Sequence, residues 1–218
     1  MTLHFTVAGG ESLAFDVRSL VVAGWTGRDA DSVAAQVREL GARSPETLPC
    51  FYELSADLLC TDDGFQVPGR DSSAEVECVL FSTGTALYVG IGSDHADRRV
   101  EGYDIAVSRQ LCLKPVGREL WRFHEVAGHW DQLRLRCWRH VEGRDELYQA
   151  GLAATLLDPR ELIALRTGDA SLPAGTAMFC GTLPFIGDPV PGEHFSVELH
   201  DPVLGRSLSH SYRVQALD

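Results

Sequence analysis

The chain has 218 residues, with 31 acidic against 19 basic side chains and a formal net charge of −12. That balance argues against a general binder of nucleic acid or of anionic membranes, whose affinity rests on clustered Lys and Arg. Arginine carries nearly all of the positive charge, so an anion site here would use its planar fork. The length suffices for a sizeable core, and residues 1–218 are expected to form one domain. No apolar run approaches the roughly 20 residues that cross a bilayer, and the first ten residues lack the basic-then-apolar pattern of a secretory signal. A cytoplasmic location is the expectation.

In chain order, "LHFTV" and "LAFDVRSLVVAG" read as strands separated by Gly9-Gly10. A helix follows, capped by Asp29 or Asp31, with an apolar face of Val33, Val37 and Leu40. "RSPETLP" breaks it, "CFYELSADLLC" is ambiguous between strand and helix, and residues 62 to 73 are rich in turn formers. "AEVECVLF" and "ALYVGIG" are apolar strands joined by "STGT". "RELWRFHEVAGHWDQL" has a helical pattern, "LRLRCWRH" and "DELYQAGL" form a hairpin around "VEGR", and "DPRELIALR" is a helix with Asp158 as cap and Pro159 at its first position. The last fifty or so residues read as β. The whole is β-rich with a few helices, an α+β chain.

Several familiar motifs fail on inspection. His124 and His129 in "HEVAGH" are five residues apart, where one helical face needs four. There is no GxSxG elbow, P-loop or GxGxxG turn. The six cysteines are dispersed without a CxxC pair, and Cys78, Cys112 and Cys180 sit in apolar segments, which disfavours a disulfide framework or a zinc ribbon.

One constellation survives. In a strand, residues i and i+2 share a face, so Glu75 and Glu77 would stand side by side while Val76, Cys78 and Leu80 fill the other face. Two neighbouring buried carboxylates need a cation, a proton or water. Asp94, at the end of the next apolar strand, completes a three-carboxylate set suited to a hard cation such as Mg²⁺, Mn²⁺ or Ca²⁺. The alternative is an Asp-Arg ion pair at a turn with two glutamates on a solvated sheet face.

"AEVECVLF" followed by "YVGIGSDHADRR" resembles the metal-binding core of the fumarylacetoacetate hydrolase superfamily, and "LPAGTAMFCGTLPFIGDPVPGEHFSVELHDPVLGRSLSHSY" resembles its C-terminal block. Through "AGWTGRD", "KPVGRELWRF" and "GTAMFCGTLP" the chain is more closely similar to a bacterial family of uncharacterised domains related to these enzymes. The resemblance implies a mixed β-sheet roll around a central pocket with peripheral helices, and a homodimer. It implies that Glu75, Glu77 and Asp94 ligate a divalent metal, Mg²⁺ or Mn²⁺ or Ca²⁺. It also implies that Arg98, Gly181 and Thr182 contact a small organic acid, with Arg109 or Lys114 in the place of the family's lysine.

The resemblance implies a metal-dependent enzyme acting on a small oxo- or diketo-acid, first of all by hydrolytic C–C cleavage. Many family members activate water with a His and a Glu, yet Ala30 and Val33 occupy those positions here. Asp29 or His95 is then the candidate base, unless Asp29 only caps its helix and His95 only supports the site by a hydrogen bond. Decarboxylation or keto-enol isomerisation needs no such dyad, and the remaining readings are a non-catalytic protein that binds a metal and an organic acid, or an inert dimeric scaffold. The excursion from Glu77 to Asp94 is shorter than the family's usual one.

Overall fold

The computed structural model describes residues 1–39, 45 and 47–217. Two mixed sheets dominate it. Eight strands lie in the spatial order Glu11–Asp16, Thr2–Val7, Glu119–Arg122, Leu87–Ser93, Val76–Ser82, Thr176–Thr182, Ser19–Gly24, Cys50–Leu54. Five more lie in the order Arg144–Leu152, Arg134–Val141, His194–Asp201, Arg206–Leu217, Gly64–Pro68.

The larger sheet must curl. Glu11–Asp16 is at one edge and Ser19–Gly24 near the other, yet only Val17 and Arg18 connect them. The N–H of Arg18 donates to Gly175 O, just before the Thr176–Thr182 strand. The inside of the curl is apolar: Phe5 and Phe15, from the first two strands, meet Phe81 at ring-centroid distances of 4.9 and 5.3 Å, with Val22, Val79 and Phe179 beside them. The outer face packs on the five-stranded sheet through Val76, Cys78, Leu80, Val89 and Ile91 against Leu135, Phe195, Val197 and Tyr212. Covered on both faces, Val76–Ser82 is buried along its whole length. His194–Asp201, covered on one face, alternates instead.

The expected parity therefore holds, with Val76, Cys78 and Leu80 on one face and Glu77, Val79 and Phe81 on the other. Three local readings change. "LAFDVRSLVVAG" is two strands rather than one, because its halves pair with different neighbours. The turn-rich stretch contains the strand Gly64–Pro68, held parallel to Arg206–Leu217. The helix expected from Arg118 begins as a strand, Glu119–Arg122, which bridges Thr2–Val7 and Leu87–Ser93 before a helical turn at Phe123–Val126. The ambiguous stretch resolves as strand Cys50–Leu54 and a 3-10 turn, Ala56–Leu58. In the helix Ala30–Glu39, Val33 is buried as expected, whereas Leu40 lies outside the described residues.

Candidate metal centre

Val76–Ser82 and Leu87–Ser93 run antiparallel, with Val76 opposite Ser93 and Glu77 opposite Gly92. Pairing extends past the strand ends, since the Asp94 N–H donates to Glu75 O at 2.9 Å. Glu75 and Asp94 thus face each other across the ladder, with Glu77 next along on the inner face of the curl. Each of the three carboxylates offers an oxygen within 4.8 Å of the other two, and all three residues are buried. At that separation two unit charges repel by about 3 kcal/mol even at an effective dielectric constant near 20.

Three cations answer part of this charge. Arg98, opening the helix Arg98–Glu101, places Nη1 2.7 Å from Glu75 Oε1 and 2.8 Å from Glu101 Oε2, and its Nε donates to Ser73 Oγ. Arg109, on the helix Ile105–Gln110, donates from Nε to Asp94 Oδ2 at 2.5 Å, and Lys114 Nζ is 2.9 Å from Asp94 Oδ1. Both residues held open for the lysine's place thus converge on one carboxylate. Gly92 makes room for this. A Cβ there would stand 2.7 Å from Val116 Cγ1 and 2.8 Å from Pro115 O, so only glycine lets the Lys114–Val116 segment lie against the strand.

The distribution is uneven. Burial pushes the Asp94 carboxyl up, but Lys114 and Arg109 more than offset it and hold it below the usual range. Burial raises Glu75, with Arg98 countering and Glu101 and Asp94 adding to the rise. Glu77 is pushed well above its usual range by burial and by the charges of Asp94 and Glu75. Among the described residues Glu77 forms no ion pair. Its one hydrogen bond there comes from the Gly181 N–H to Oε2, at 2.6 Å. Gly181 has φ 97°, and a Cβ on it would fall 1.8 Å from Thr26 Oγ1. Glycine is therefore required both by conformation and by space.

This set fits a divalent cation. Three buried carboxylates and no sulfur or imidazole form a hard-oxygen site, and the unpaired Glu77 supplies the charge that such an ion would neutralise.

Thr182 follows a bulge in its strand, where the register shifts between Phe179 and Thr182. Its hydroxyl donates to Val76 O at 3.0 Å and accepts from Gln149 Nε2 at 2.9 Å. Gln149, fully buried, also accepts from the Val76 N–H at 2.8 Å and donates to Leu183 O. Nothing in the sequence marked it. A bulge in the Arg144–Leu152 strand turns Tyr148 and Gln149 inward in succession, which breaks the alternation that a pattern reading relies on.

The two candidate bases stand elsewhere. The His95 ring lies in the core between the sheets, against Phe65, Phe195 and Tyr212. Its Nδ1 is 3.1 Å from Tyr212 Oη, which donates to Ser93 Oγ, and Ser93 Oγ in turn accepts the Glu75 N–H. Burial and the charge of Lys114 hold His95 well below its usual range, as a neutral ring. Asp29 is exposed and caps its helix, accepting from the N–H groups of Asp31 and Ser32 and from the Ser32 hydroxyl. Of the two histidines in "HEVAGH", His129 contacts Asp201 at 3.0 Å and His124 is exposed.

Solved structures share this fold. A fumarylacetoacetate hydrolase family protein from Yersinia pestis CO92 superposes with a TM-score of 0.67 at 18% identity, covering 97% of this chain and 100% of its own. A 2-keto-3-deoxyarabinonate dehydratase gives 0.68 at 14% identity, over 96% and 78%. A 2-keto-3-deoxy-D-arabinonate dehydratase complexed with magnesium and 2,5-dioxopentanoate gives 0.66 at 13% identity, over 94% and 76%. No curated protein matches the sequence. The sequence model described as "Protein of unknown function (DUF2848)" matches residues 23–212, and on that match the chain belongs to this family, with a fumarylacetoacetate-hydrolase-like fold.

Proposed function

We propose that the protein is a divalent-metal-dependent enzyme acting on a small oxo- or diketo-acid. The observation that carries this is Glu77: a buried carboxylate beside two others, lacking a cation of its own among the described residues. Glu75, Glu77 and Asp94 would hold the ion, which when bound supplies Lewis acidity against the negative charge that develops on a 2-oxo group. Lys114 and Arg109 keep Asp94 ionised, Arg98 counters the burial of Glu75, and the two arginines would stand beside a substrate carboxylate. Lys114, whose Nζ also donates to His95 O at 2.5 Å, fixes Asp94 and the chain beside it. The Gly181-Thr182 turn would border the bound acid. The Thr182 hydroxyl proton is already given to Val76 O, so this side chain would meet the acid as an acceptor unless it rotates.

Hydrolytic C–C cleavage requires a base for water. Ala30 is exposed, Val33 packs in the core, Asp29 is committed to its helix and His95 faces the opposite side of the sheet from Glu77. These positions favour enolate chemistry without hydrolysis, namely decarboxylation or keto-enol isomerisation, with His95 as a positioning residue rather than a proton acceptor. No described helix is long and apolar enough to cross a membrane. A cytoplasmic homodimer completes the reading, and its mass in solution tests the second half of it.

The decisive experiment is a calorimetric titration of metal-stripped protein with Mn²⁺, alongside Glu75→Gln and Glu77→Gln. One site per chain, lost or much weakened in both variants, is expected, followed by turnover of oxaloacetate or of acylpyruvates. Absence of Mn²⁺ uptake by the folded wild type removes the mechanism, and uptake and acid binding without turnover favours a non-catalytic binder.

A further inference from the structure

The outer face of the five-stranded sheet carries a polar row that the metal centre does not use. Cys137, Val197 and Tyr212 point into the core, so by alternation Trp138, His140, His194, Ser196 and Ser211 stand on the face turned away from the larger sheet. The ladder fixes their register. His140 pairs with Asp145, Trp138 with Leu147 on one side and Ser196 on the other, and Ser196 with Ser211. Three neighbouring strands thus bring a carboxylate, an imidazole and a hydroxyl to one place.

Asp145 Oδ1 is 2.6 Å from His140 Nδ1, and His140 Nε2 is 2.6 Å from Ser196 Oγ. With the carboxylate accepting the Nδ1 proton, the second ring nitrogen is left to accept from the serine hydroxyl, the arrangement that activates a serine nucleophile. The His140 side chain is 20% exposed and that of Asp145 71%. The base is therefore largely shielded, whereas the carboxylate's hold on it is screened by water. Beside the nucleophile, Ser211 Oγ lies 3.1 Å from Ser196 Oγ and 2.9 Å from His194 Nε2. The His194 ring centroid is 4.1 Å from that of His140. Burial and the charges of His140 and Arg213 hold His194 below its usual range, as a neutral ring.

We propose that Ser196, His140 and Asp145 form a second, metal-independent site that hydrolyses small aryl esters, with Trp138 as the seat of the aromatic group. Trp138 is half-buried and stands directly opposite Ser196, and Leu147, 44% exposed, extends its apolar surface. Ser196 Oγ forms a bond to the acyl carbon while its proton passes to His140 Nε2. The carbonyl oxygen that gains charge lies beside Ser211 and His194, with Arg213 opposite His194 in the ladder. The ester C–O bond breaks, and the leaving alcohol takes the proton from His140. Water then attacks the acyl-serine by the same route and releases the acid.

The test is hydrolysis of 4-nitrophenyl acetate by the full chain, with and without EDTA. The chain's single lysine, Lys114, is buried, so acylation of side-chain amines adds little background. Turnover should be unchanged by EDTA and should fall at least about a hundredfold in Ser196→Ala and in His140→Gln. In Asp145→Asn, where the carboxylate is mostly exposed, the loss should be about tenfold. Wild-type protein treated with diisopropyl fluorophosphate should lose this activity and carry the phosphoryl group on Ser196. Absence of that label, or turnover that persists in Ser196→Ala, leaves the row a polar ladder and overturns the proposal. Loss of turnover in EDTA assigns the hydrolysis to the metal centre and overturns it likewise. Should a variant fail to fold, the residue labelled in the wild type still decides. Mn²⁺ uptake at the carboxylate centre is untouched by any of these results.

Discussion

Glu77 gives a side-chain-level prediction with two opposite signs. In metal-free protein it is a buried, uncompensated carboxylate. Glu77→Gln keeps an acceptor for the Gly181 N–H while removing the charge, and should raise metal-free stability by about 1–2 kcal/mol, visible as a higher Tm. The same variant should bind Mn²⁺ at least about tenfold more weakly. Asp29→Ala makes a contrast. Loss of the cap should cost about 1 kcal/mol and leave Mn²⁺ affinity as it was, whereas a large drop in affinity would restore Asp29 to the site. At this scale the sequence was informative about the carboxylate cluster, because three carboxylates at the ends of two apolar strands are chemically conspicuous. It was silent about Gln149, Tyr212 and Thr26, since a single polar residue among apolar neighbours carries no signal of what it will meet from the other sheet. His95, beside Asp94 in sequence, reads as part of the cluster, yet successive side chains at a strand end point to opposite faces.

Elements explain why the cluster is held so firmly. Gly92 admits Lys114–Val116 against the strand. Gly92→Ala would push that segment away by its backbone, at a cost of about 2–3 kcal/mol, and should lower Mn²⁺ affinity by displacing Lys114 from Asp94. Gln149 bridges the two sheets where the Thr176–Thr182 strand bulges away from its neighbour. Gln149→Leu strands the Val76 N–H and the Leu183 carbonyl in the interior, an expected loss of about 2–4 kcal/mol by denaturant unfolding. The strands Val76–Ser82 and Leu87–Ser93 were legible because both are long apolar runs. Glu119–Arg122 was not, because its strand character comes from Thr2–Val7 and Leu87–Ser93 rather than from its own helical-looking pattern. Gly64–Pro68 was hidden the same way among turn formers, gaining its pairing only from the far C-terminal strand.

For the whole molecule, the charges at the centre set how stability follows pH. Glu75 and Glu77 are raised in the folded state, so folding takes up protons there. Their contribution to metal-free stability is greatest below the unfolded carboxylate range and is lost as pH rises through the folded values. Asp94, held low, acts in the opposite sense, with stability present above the unfolded value and lost in stronger acid. Between about pH 5 and pH 8 the glutamates should dominate. The increase in Tm on adding Mg²⁺ should therefore be larger at pH 8 than at pH 5. At a hundredfold excess over Kd it corresponds to about 2.7 kcal/mol, or about 5–10 °C for a chain of this size. A Tm that ignores Mg²⁺ at both pH values would contradict the carboxylate centre.

The two-residue link at Val17-Arg18 has a consequence for how the protein is made. It delivers Ser19–Gly24 to a place beside Thr176–Thr182, a strand that leaves the ribosome long after its neighbours. Until then the nascent chain carries Ser19–Gly24 and Val76–Ser82 with the strand between them missing, two apolar edges open to the wrong partner. The last piece to arrive also brings Gly181 and Thr182. Chaperone demand should thus peak while those residues are still unsynthesised, and the acidic centre becomes complete only when the sheet closes.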